Sequence, residues 1–565
     1  MKTSSLLEEP RTLIDELLEE QQRLTPVERF AKRKDDGNLP SQSRYYRDLI
    51  PLSKPEKGQQ YAFGVDMDRC TGCKACVSAC HSLNGLDEDE AWRDTGLILG
   101  DLESVAYQQT VTTACHHCVE PGCMEGCPVQ AYEKEEDTGI VRHLDDQCIG
   151  CQYCVLKCPY DVPKYSKVRG IVRKCDMCHG RLSVGEAPAC VQACPSGAIT
   201  IRIVNKEEVV ASIQPEDTLL PGAYRSSYTK PTTVYTTRHI IPENAHASDR
   251  DSLQMQPAHW PLVWMLVLTQ MSAGLVIAGV LLNGVGPMVF SSIGWIVAAV
   301  AFVVLNVGLG ASTMHLGRPL GAWRAFLGLR TSWMSREILA FGLFAGVSGG
   351  FAVCAGWGRL VALVPTLGVL EKVVDPASMA GVTGMVAACV GILSVFCSGM
   401  IYVDTHRVLW RAKNTFVRFG GATLLLGASA SAAILACGVA AGKSELMNAA
   451  PIAGVATLVI RTFFFVWEVS WLKAAAKEGH PDYVSVRLTW AFCKHLVVAR
   501  RVLFFGSTVF GIAAIASPGA MGAGCAVVSF LMTFAAQVME RYLYFTTVVA
   551  YRMPGFVFPK KIAAH

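Results

Sequence analysis

The chain has 565 residues, 51% of them hydrophobic, with a formal net charge of +4 and 22 cysteines. That length exceeds one ordinary domain, and so small a net charge gives no electrostatic support for a nucleic-acid partner. The apolar residues are concentrated in the second half, so lipid is the expected surrounding there.

Residues 1–60 are polar and charged. Within LIDELLEEQQRL, Leu13, Ile14, Leu17 and Leu18 recur at helical spacing and predict an amphipathic helix. Thr25, Pro26 and Glu28 read as N-cap, first helical residue and capping-box acid of a second short helix. No twin-arginine pair, apolar h-region or small-residue cleavage site appears at the start, so a secretion signal is not expected. This arm reads either as a solvated helix or as a clasp for a partner subunit.

Sixteen cysteines between Cys70 and Cys194 then fall into four groups of four. The first, Cys70, Cys73, Cys76 and Cys80, and the third, Cys148, Cys151, Cys154 and Cys158, share the spacing C-x2-C-x2-C-x3-C. The second, Cys115, Cys118, Cys123 and Cys127, and the fourth, Cys175, Cys178, Cys190 and Cys194, are loop variants of it. Three thiolates in a tight loop can wrap three irons of a cubane while a remote fourth closes the cage, and in two-cluster ferredoxins that fourth cysteine serves the other cluster. Four motifs therefore imply four 4Fe-4S clusters. Structural zinc also takes four thiolates, but as two C-x2-C knuckles held apart. A disulfide framework belongs to exported chains.

These motifs, their order and the stretched fourth group resemble the four-cluster electron-transfer subunit of dimethyl sulfoxide reductase and other complex iron-sulfur molybdoenzymes, over about residues 60 to 204. The resemblance implies that motif one pairs with four, and two with three. Carried over, the ligand sets are Cys70, Cys73, Cys76 with Cys194; Cys175, Cys178, Cys190 with Cys80; Cys115, Cys118, Cys123 with Cys158; and Cys148, Cys151, Cys154 with Cys127. His81 stands after Cys80, where such motifs often have proline.

LILGDLESVAYQQTVTTA suggests a strand pair between the first two groups, and AITIRIV a strand that closes the second ferredoxin half. Residues 205–258 are polar and dotted with proline, which predicts a tether extended over the cluster domain. From Trp260 onward, eight apolar segments near 260–283, 287–311, 337–357, 379–403, 419–441, 449–471, 497–517 and 521–550 are each long enough to cross a bilayer. Loops on the cluster-domain side hold seventeen Arg and Lys against three opposite. By the positive-inside rule this sets the cluster domain on the cytoplasmic side of a bacterial inner membrane; gripping of the cluster domain or of acidic lipid would produce the same bias.

The anchor is similar to the eight-helix quinone-binding anchor of dimethyl sulfoxide reductase, a separate polypeptide there; HWPLVW, STMHLGRP and WMSREI carry the likeness. The expected fold class is thus an α+β double 4Fe-4S ferredoxin-like domain followed by an all-α eight-helix transmembrane bundle. Its divisions are an arm at 1–60, the cluster domain at 61–204, the tether at 205–258 and the anchor at 259–565. Quinone chemistry moves electrons and protons together, so ionisable groups at helix ends are the candidates. His315, by its HLG motif, with Arg318 and Glu337, is the expected quinone site. Tyr402, His406, Arg407, Arg541 and Tyr542 read as interfacial anchors, and Glu468 with Arg461 as an inward pair or a proton path. No haem is expected, since no histidine lies mid-span. The six remaining cysteines read as small core residues.

The resemblance implies a partner, a molybdopterin-containing catalytic subunit, and electron exchange with a menaquinone or ubiquinone pool. A cytoplasmic cluster domain resembles the sulfite-oxidising quinone reductases of this plan, so sulfite oxidation is expected; S-oxide, N-oxide or nitrate reduction, and a quinone-ferredoxin relay without such a partner, are the alternatives. The purified chain should be brown and carry iron, and metal analysis that returned zinc in its place would overturn the cluster reading.

Overall fold

Short β-branched runs broken by glycine and proline make small sheets, and the computed structural model shows how these frame the cysteine loops. It describes residues 43–102, 105–372, 375–517 and 519–556, with 12–14, 19, 25 and 28 from the preceding segment. Of the expected arm, Leu13, Ile14 and Glu28 are helical. Thr25 and Glu28 exchange capping bonds, the Thr25 amide giving to the Glu28 carboxylate at 2.7 Å and the Glu28 amide to Thr25 Oγ1 at 3.2 Å. Leu17, Leu18 and most of the first 42 residues lie outside the described residues, and the arm's last part carries two short helical turns, Ser43–Tyr45 and Arg47–Leu49.

Strand β1 (Gln59–Asp66) precedes helix α1 (Ala75–Asn84), and β2 (Asp94–Leu102) and β3 (Val105–Thr113) form the expected antiparallel pair. Two short hairpins follow, β4 (Tyr132–Lys134) with β5 (Val141–His143), and β6 (Lys164–Ser166) with β7 (Ile171–Arg173). Strand β8 (Ile199–Asn205), from AITIRIV, runs antiparallel to β1. The polar stretch beyond it is more ordered than proline content suggests. It opens with a helix, Lys206–Ser212, then adds β9 (Val234–Thr236) parallel to β1 and β10 (His246–Ala247) against β2.

Eight helices long and apolar enough to cross a membrane follow, within a few residues of the expected spans. They are α2 (Trp260–Val285), α3 (Pro287–Thr313), α4 (Trp333–Ala355), α5 (Pro376–Val403), α6 (Ala412–Ala440), α7 (Ala449–Ala475), α8 (Lys494–Ala516) and α9 (Ala520–Thr546). The fold is therefore an α+β iron-sulfur region followed by a helical membrane region. Lipid offers no hydrophobic drive between helices, so close packing must do that work. At the α2–α6 crossing, a Cβ on Gly274 would lie 2.0 Å from the Thr423 carbonyl oxygen. Of the six cysteines here, Cys397 and Cys493 are buried as core residues, but Cys389 and Cys437 are exposed on outer faces.

The two regions meet through main chain. Gly150 of motif three (φ +70°), Gly170 of the β6–β7 turn (φ +67°) and Gly317 of the HLG turn stack so tightly that a Cβ on Gly317 would lie 2.0 Å from the Gly170 carbonyl oxygen. Arg318 gives its amide to the Ile149 carbonyl at 3.0 Å and its guanidinium to the Asp145 carbonyl at 2.8 Å, and Arg324 holds Asp146 in the same way at 2.7 Å. Two of the cations counted for membrane sidedness thus grip the cluster domain. Beyond α5, Asp404 accepts from Lys157 at 2.8 Å and from Tyr153 at 3.0 Å. After α9 the polypeptide returns to the cluster domain, where the Gly555 carbonyl accepts from the Leu97 amide and Ser248 and Arg552 pairs with Asp249 at 2.9 Å.

Asp404→Ala leaves Lys157, 3% exposed, without its counter-charge. The expected cost is about 3 kcal/mol, the low end for a buried pair because Asp404 is partly open to solvent. Thermal unfolding of the detergent-solubilised protein should register it as a lowered Tm.

Candidate functional site

Equal cysteine spacing produces equal loops. The residue before the second cysteine of every group is left-handed: Gly72 at φ +68°, His117 at +40°, Gly150 at +70° and Met177 at +59°. Two of these are glycines, for which the conformation is free; His117 and Met177 adopt it at a cost. Such turns leave amides aimed at sulfur. Gly150 and Met177 donate to Cys148 and Cys175 at 3.4 Å, and Ala131 and Ala198 to the fourth cysteines Cys127 and Cys194 at 3.2 Å. Amides of this kind stabilise thiolate charge and tune iron-sulfur centres.

The loops bring thiols of different sequence groups beside one another. Cys70 neighbours Cys194 and Cys73, and Cys76 faces Cys194 and also Cys190 of the next quartet. Burial, with Cys190 and Cys178 beside it, pushes the Cys80 thiol up to about 12. Cys118, likewise pushed up to about 12 by burial, adjoins Cys115 and Cys158, and Cys123 adjoins the same three. Cys154 and Cys151 lie with Cys127 and Cys148. These neighbourhoods join cysteines of different sequence groups, and some reach across sets, Cys76 to Cys190 and Cys175 to Cys115. Thiols raised in this way are protonated in the iron-free protein near neutral pH, so loading metal must release protons. Among the described residues no three His, Cys, Asp or Glu side chains are grouped to hold a single metal ion. A cubane, which spreads its thiolates over four irons, asks for such a wider quartet.

Where motif three meets the membrane region there is a cavity lined from both sides. Cys151 and Tyr153 form its cluster-side wall, and His315, Glu337, Tyr402 and Arg407 its membrane-side wall. His315 follows α3 in the turn pinned by the glycine stack, and its ring meets His259 edge to face at 5.1 Å. Burial, with His259 nearby, lowers His315 to about 4, so the ring is neutral at physiological pH and can donate or accept. Because the folded value lies below the unfolded one, stability is full above the ordinary histidine range and falls as pH drops toward the folded value. Glu337, on the first turns of α4, is 7% exposed and makes no ion pair among the described residues. Arg407 is 5% exposed, packs over Trp410 at 5.1 Å and is lowered by burial to about 10.

The expected site residues therefore separate. His315 and Glu337 share the cavity; Arg318 lies outside it, spent on main-chain carbonyls of the cluster domain. Tyr402 and Arg407, read from sequence as interfacial anchors, line the cavity. His406 packs on Tyr228 at 4.4 Å and Tyr542 on Trp260 at 5.2 Å. Arg541 donates to Gln270 at 2.9 Å. Arg461 and Glu468 are not partners. Arg461 holds Ser507, Ser529 and Thr533, while Glu468 takes a two-pronged bond from Arg500 at 2.5 and 2.8 Å. His259 and Tyr153 of the cavity were missed as site residues: the one precedes an apolar span, the other sits inside a cysteine motif, and neither position signals a pocket.

Two family models match this protein. A 4Fe-4S dicluster domain covers residues 105–203, and the DMSO reductase anchor subunit (DmsC) covers 255–547, more than half of the sequence. An anaerobic dimethyl sulfoxide reductase chain of Escherichia coli K12 is 35% identical over 187 residues, 31% of this protein and 87% of that one. The hydrogenase-2 operon protein HybA of Escherichia coli O157:H7 is 32% identical over 214 residues, 33% of this protein and 63% of that one. The formate dehydrogenase iron-sulfur subunit of Haemophilus influenzae is 35% identical over 162 residues, 26% and 51% of the two proteins.

Replacing one thiol tests the crossed quartets. Cys80→Ser is expected to alter or abolish the electron paramagnetic resonance signal of the centre held by Cys175, Cys178 and Cys190 and to spare that of Cys70, Cys73 and Cys76. A loss confined to the latter would refute the crossing.

Proposed function

Because this protein belongs to the DMSO reductase anchor subunit family and carries an iron-sulfur subunit fused ahead of that anchor, we propose that it passes electrons between a quinone pool in the bilayer and a separate molybdopterin-containing catalytic subunit. Its iron-sulfur, electron-transfer character and its multi-pass membrane anchoring follow from the family; the quinone, the count of four clusters and their ligands are our reading. The sixteen cysteines, in the four quartets described above, hold those clusters, which when bound supply one-electron carriers.

One observation carries the quinone half: the cavity walled by Cys151 on one side and by His315 and Glu337 on the other. A quinone head group there lies against a motif-three loop, so electron transfer needs no large movement. Neutral His315 binds a quinone oxygen, Glu337 exchanges the proton that accompanies the electron, and Arg407 and Tyr402 orient the ring. Arg318 acts one step back, holding the HLG turn to the cluster domain.

The names of the relatives, a dimethyl sulfoxide reductase chain, a hydrogenase operon protein and a formate dehydrogenase subunit, support a redox enzyme as partner. The partner's substrate we take to be sulfite, oxidised on the cytoplasmic side with electrons passed to quinone, because the excess of Arg and Lys in the cluster-side loops favours that orientation. Reduction of an S-oxide, N-oxide or nitrate by quinol is the alternative, and it reverses the electron flow.

Two measurements test this. His315→Ala should keep its iron yet slow quinol-driven cluster reduction by about 100-fold, the range of a lost acid-base group; unchanged kinetics would remove the cavity from the path. Affinity capture of the whole protein should bring down a larger subunit containing molybdenum, and membranes lacking this protein should lose sulfite-dependent quinone reduction. Loss of S-oxide reduction instead would select the alternative substrate class.

A further inference from the structure

Two cations in the cluster domain are buried without a carboxylate. Arg93 is 2% exposed; it gives one bond, to Thr112 Oγ1 at 3.2 Å, lies over the Phe63 ring at 4.6 Å, and leaves Nη2 with no partner among the described residues. Lys174, also 2% exposed, reaches Cys115 Sγ at 3.6 Å and the carbonyls of Cys175 and Val141. Neither makes an ion pair among the described residues, although their neighbour Arg173 is paired with Glu90 in the usual way. A buried charge left uncompensated is strongly destabilising, so with no directly paired carboxylate among the described residues most of the counter-charge must come from other groups.

What surrounds them is sulfur. Thr112 Oγ1, which takes the Arg93 bond, also meets Cys76 Sγ at 3.5 Å, and the charged neighbours of Arg93 are Cys190, Cys76, Cys175 and Cys80. For Lys174 they are Cys115, Cys123 and Cys175, ahead of the carboxylate of Asp176, which lies beyond ion-pair distance. Each cation thus faces two quartets. Arg93 stands between the Cys70 quartet, through Cys76, and the Cys80 quartet; Lys174 stands between the Cys80 quartet, through Cys175, and the Cys115 quartet. At the next junction, toward the membrane, the group facing Cys154, Cys123 and Cys127 is the phenol of Tyr132, which carries no charge.

We propose that Arg93 and Lys174 are shared counter-cations of the electron path, each raising the reduction potential of the clusters on both of its sides, while the cluster nearest the membrane has no such buried Arg or Lys among the described residues and has instead His143, itself paired with Asp145, beside Cys148. This rests on the four-cluster reading. Adding an electron to a thiolate-bound cluster adds negative charge in a dry interior, and a fixed cation close by favours the reduced form. Each step moves one electron from one cluster to the next; no bond forms or breaks, and both side chains keep their protons throughout. Sharing one cation between two clusters shifts both in the same direction, which keeps neighbouring potentials close.

The test is redox titration of the full-length protein followed by electron paramagnetic resonance, with iron content measured alongside. Arg93→Gln should make reduction of the two flanking clusters about tenfold less favourable, 59 mV for a one-electron couple, and leave the membrane-side cluster unchanged. Lys174→Gln should do the same to the Cys80 and Cys115 quartets. Arg93→Lys and Lys174→Arg, which keep the charge, should retain the original potentials. Glutamine variants that assemble every cluster at unaltered potentials overturn the proposal, as does a shift spread equally over all four. Where a glutamine variant loses a cluster, the charge-keeping variant must restore both the signal and its potential; restoration at a shifted potential also overturns it. Fewer than four clusters in the unmodified protein would instead remove the reading on which the proposal is built.

Discussion

Three glycines decide how the two halves of this protein meet. Gly150 belongs to a cysteine loop, Gly170 to a hairpin turn and Gly317 to the turn that leaves the second membrane helix. Their backbones touch where no side chain fits, and the amide of Arg318 then reaches the Ile149 carbonyl. Contact through main chain sets position more strictly than contact between flexible side chains, because nothing can rotate to absorb an error. Cys151 directly follows Gly150 and His315 stands two residues before Gly317, so the same contact that docks the domains also builds the cavity between them.

Charge is arranged differently on the two sides of this joint. In the cluster domain, Arg93 and Lys174 face sulfur. In the membrane region several buried arginines are paired with carboxylates: Arg418 and Arg541 with Glu540, and Arg500 with Glu468. Those groups lie on α6 to α9, whereas the cavity is built mainly from α2, α4, α5 and their cluster-side loops. Ion pairs that are fully engaged hold helices together. A carboxyl that no cation pairs among the described residues, as Glu337 is, keeps its capacity to exchange a proton.

Much of this was legible in the residues themselves. Cysteine spacing announced four loops of one kind, and all four share a left-handed turn at the same position. Hydropathy located eight helices, because a bilayer demands length and apolarity whatever the packing. The HLG turn marked His315. Less legible was anything that depends on which loops touch. Arg318 looked like a binding residue but grips carbonyls, since sequence cannot show that a cysteine loop lies beneath it. Arg407 and Tyr402 looked peripheral for the same reason. Arg461 and Glu468, two turns apart on one helix, suggested a pair, yet each found its partner on another helix. The polar stretch after β8 gave no periodicity to read, and its two short strands exist only because sheet edges were waiting for them.

The return of the last described residues to the cluster domain has a topological consequence. The soluble half is laced to the anchor at the HLG turn, at Asp404 and again by the segment around Arg552, so the covalent tether is one connection among several. Joining two modules that already hold each other adds effective concentration and a strict one-to-one ratio without adding any contact. On that arithmetic, a cut in the tether would leave the pair associated, and the same architecture can be assembled from one polypeptide or from two.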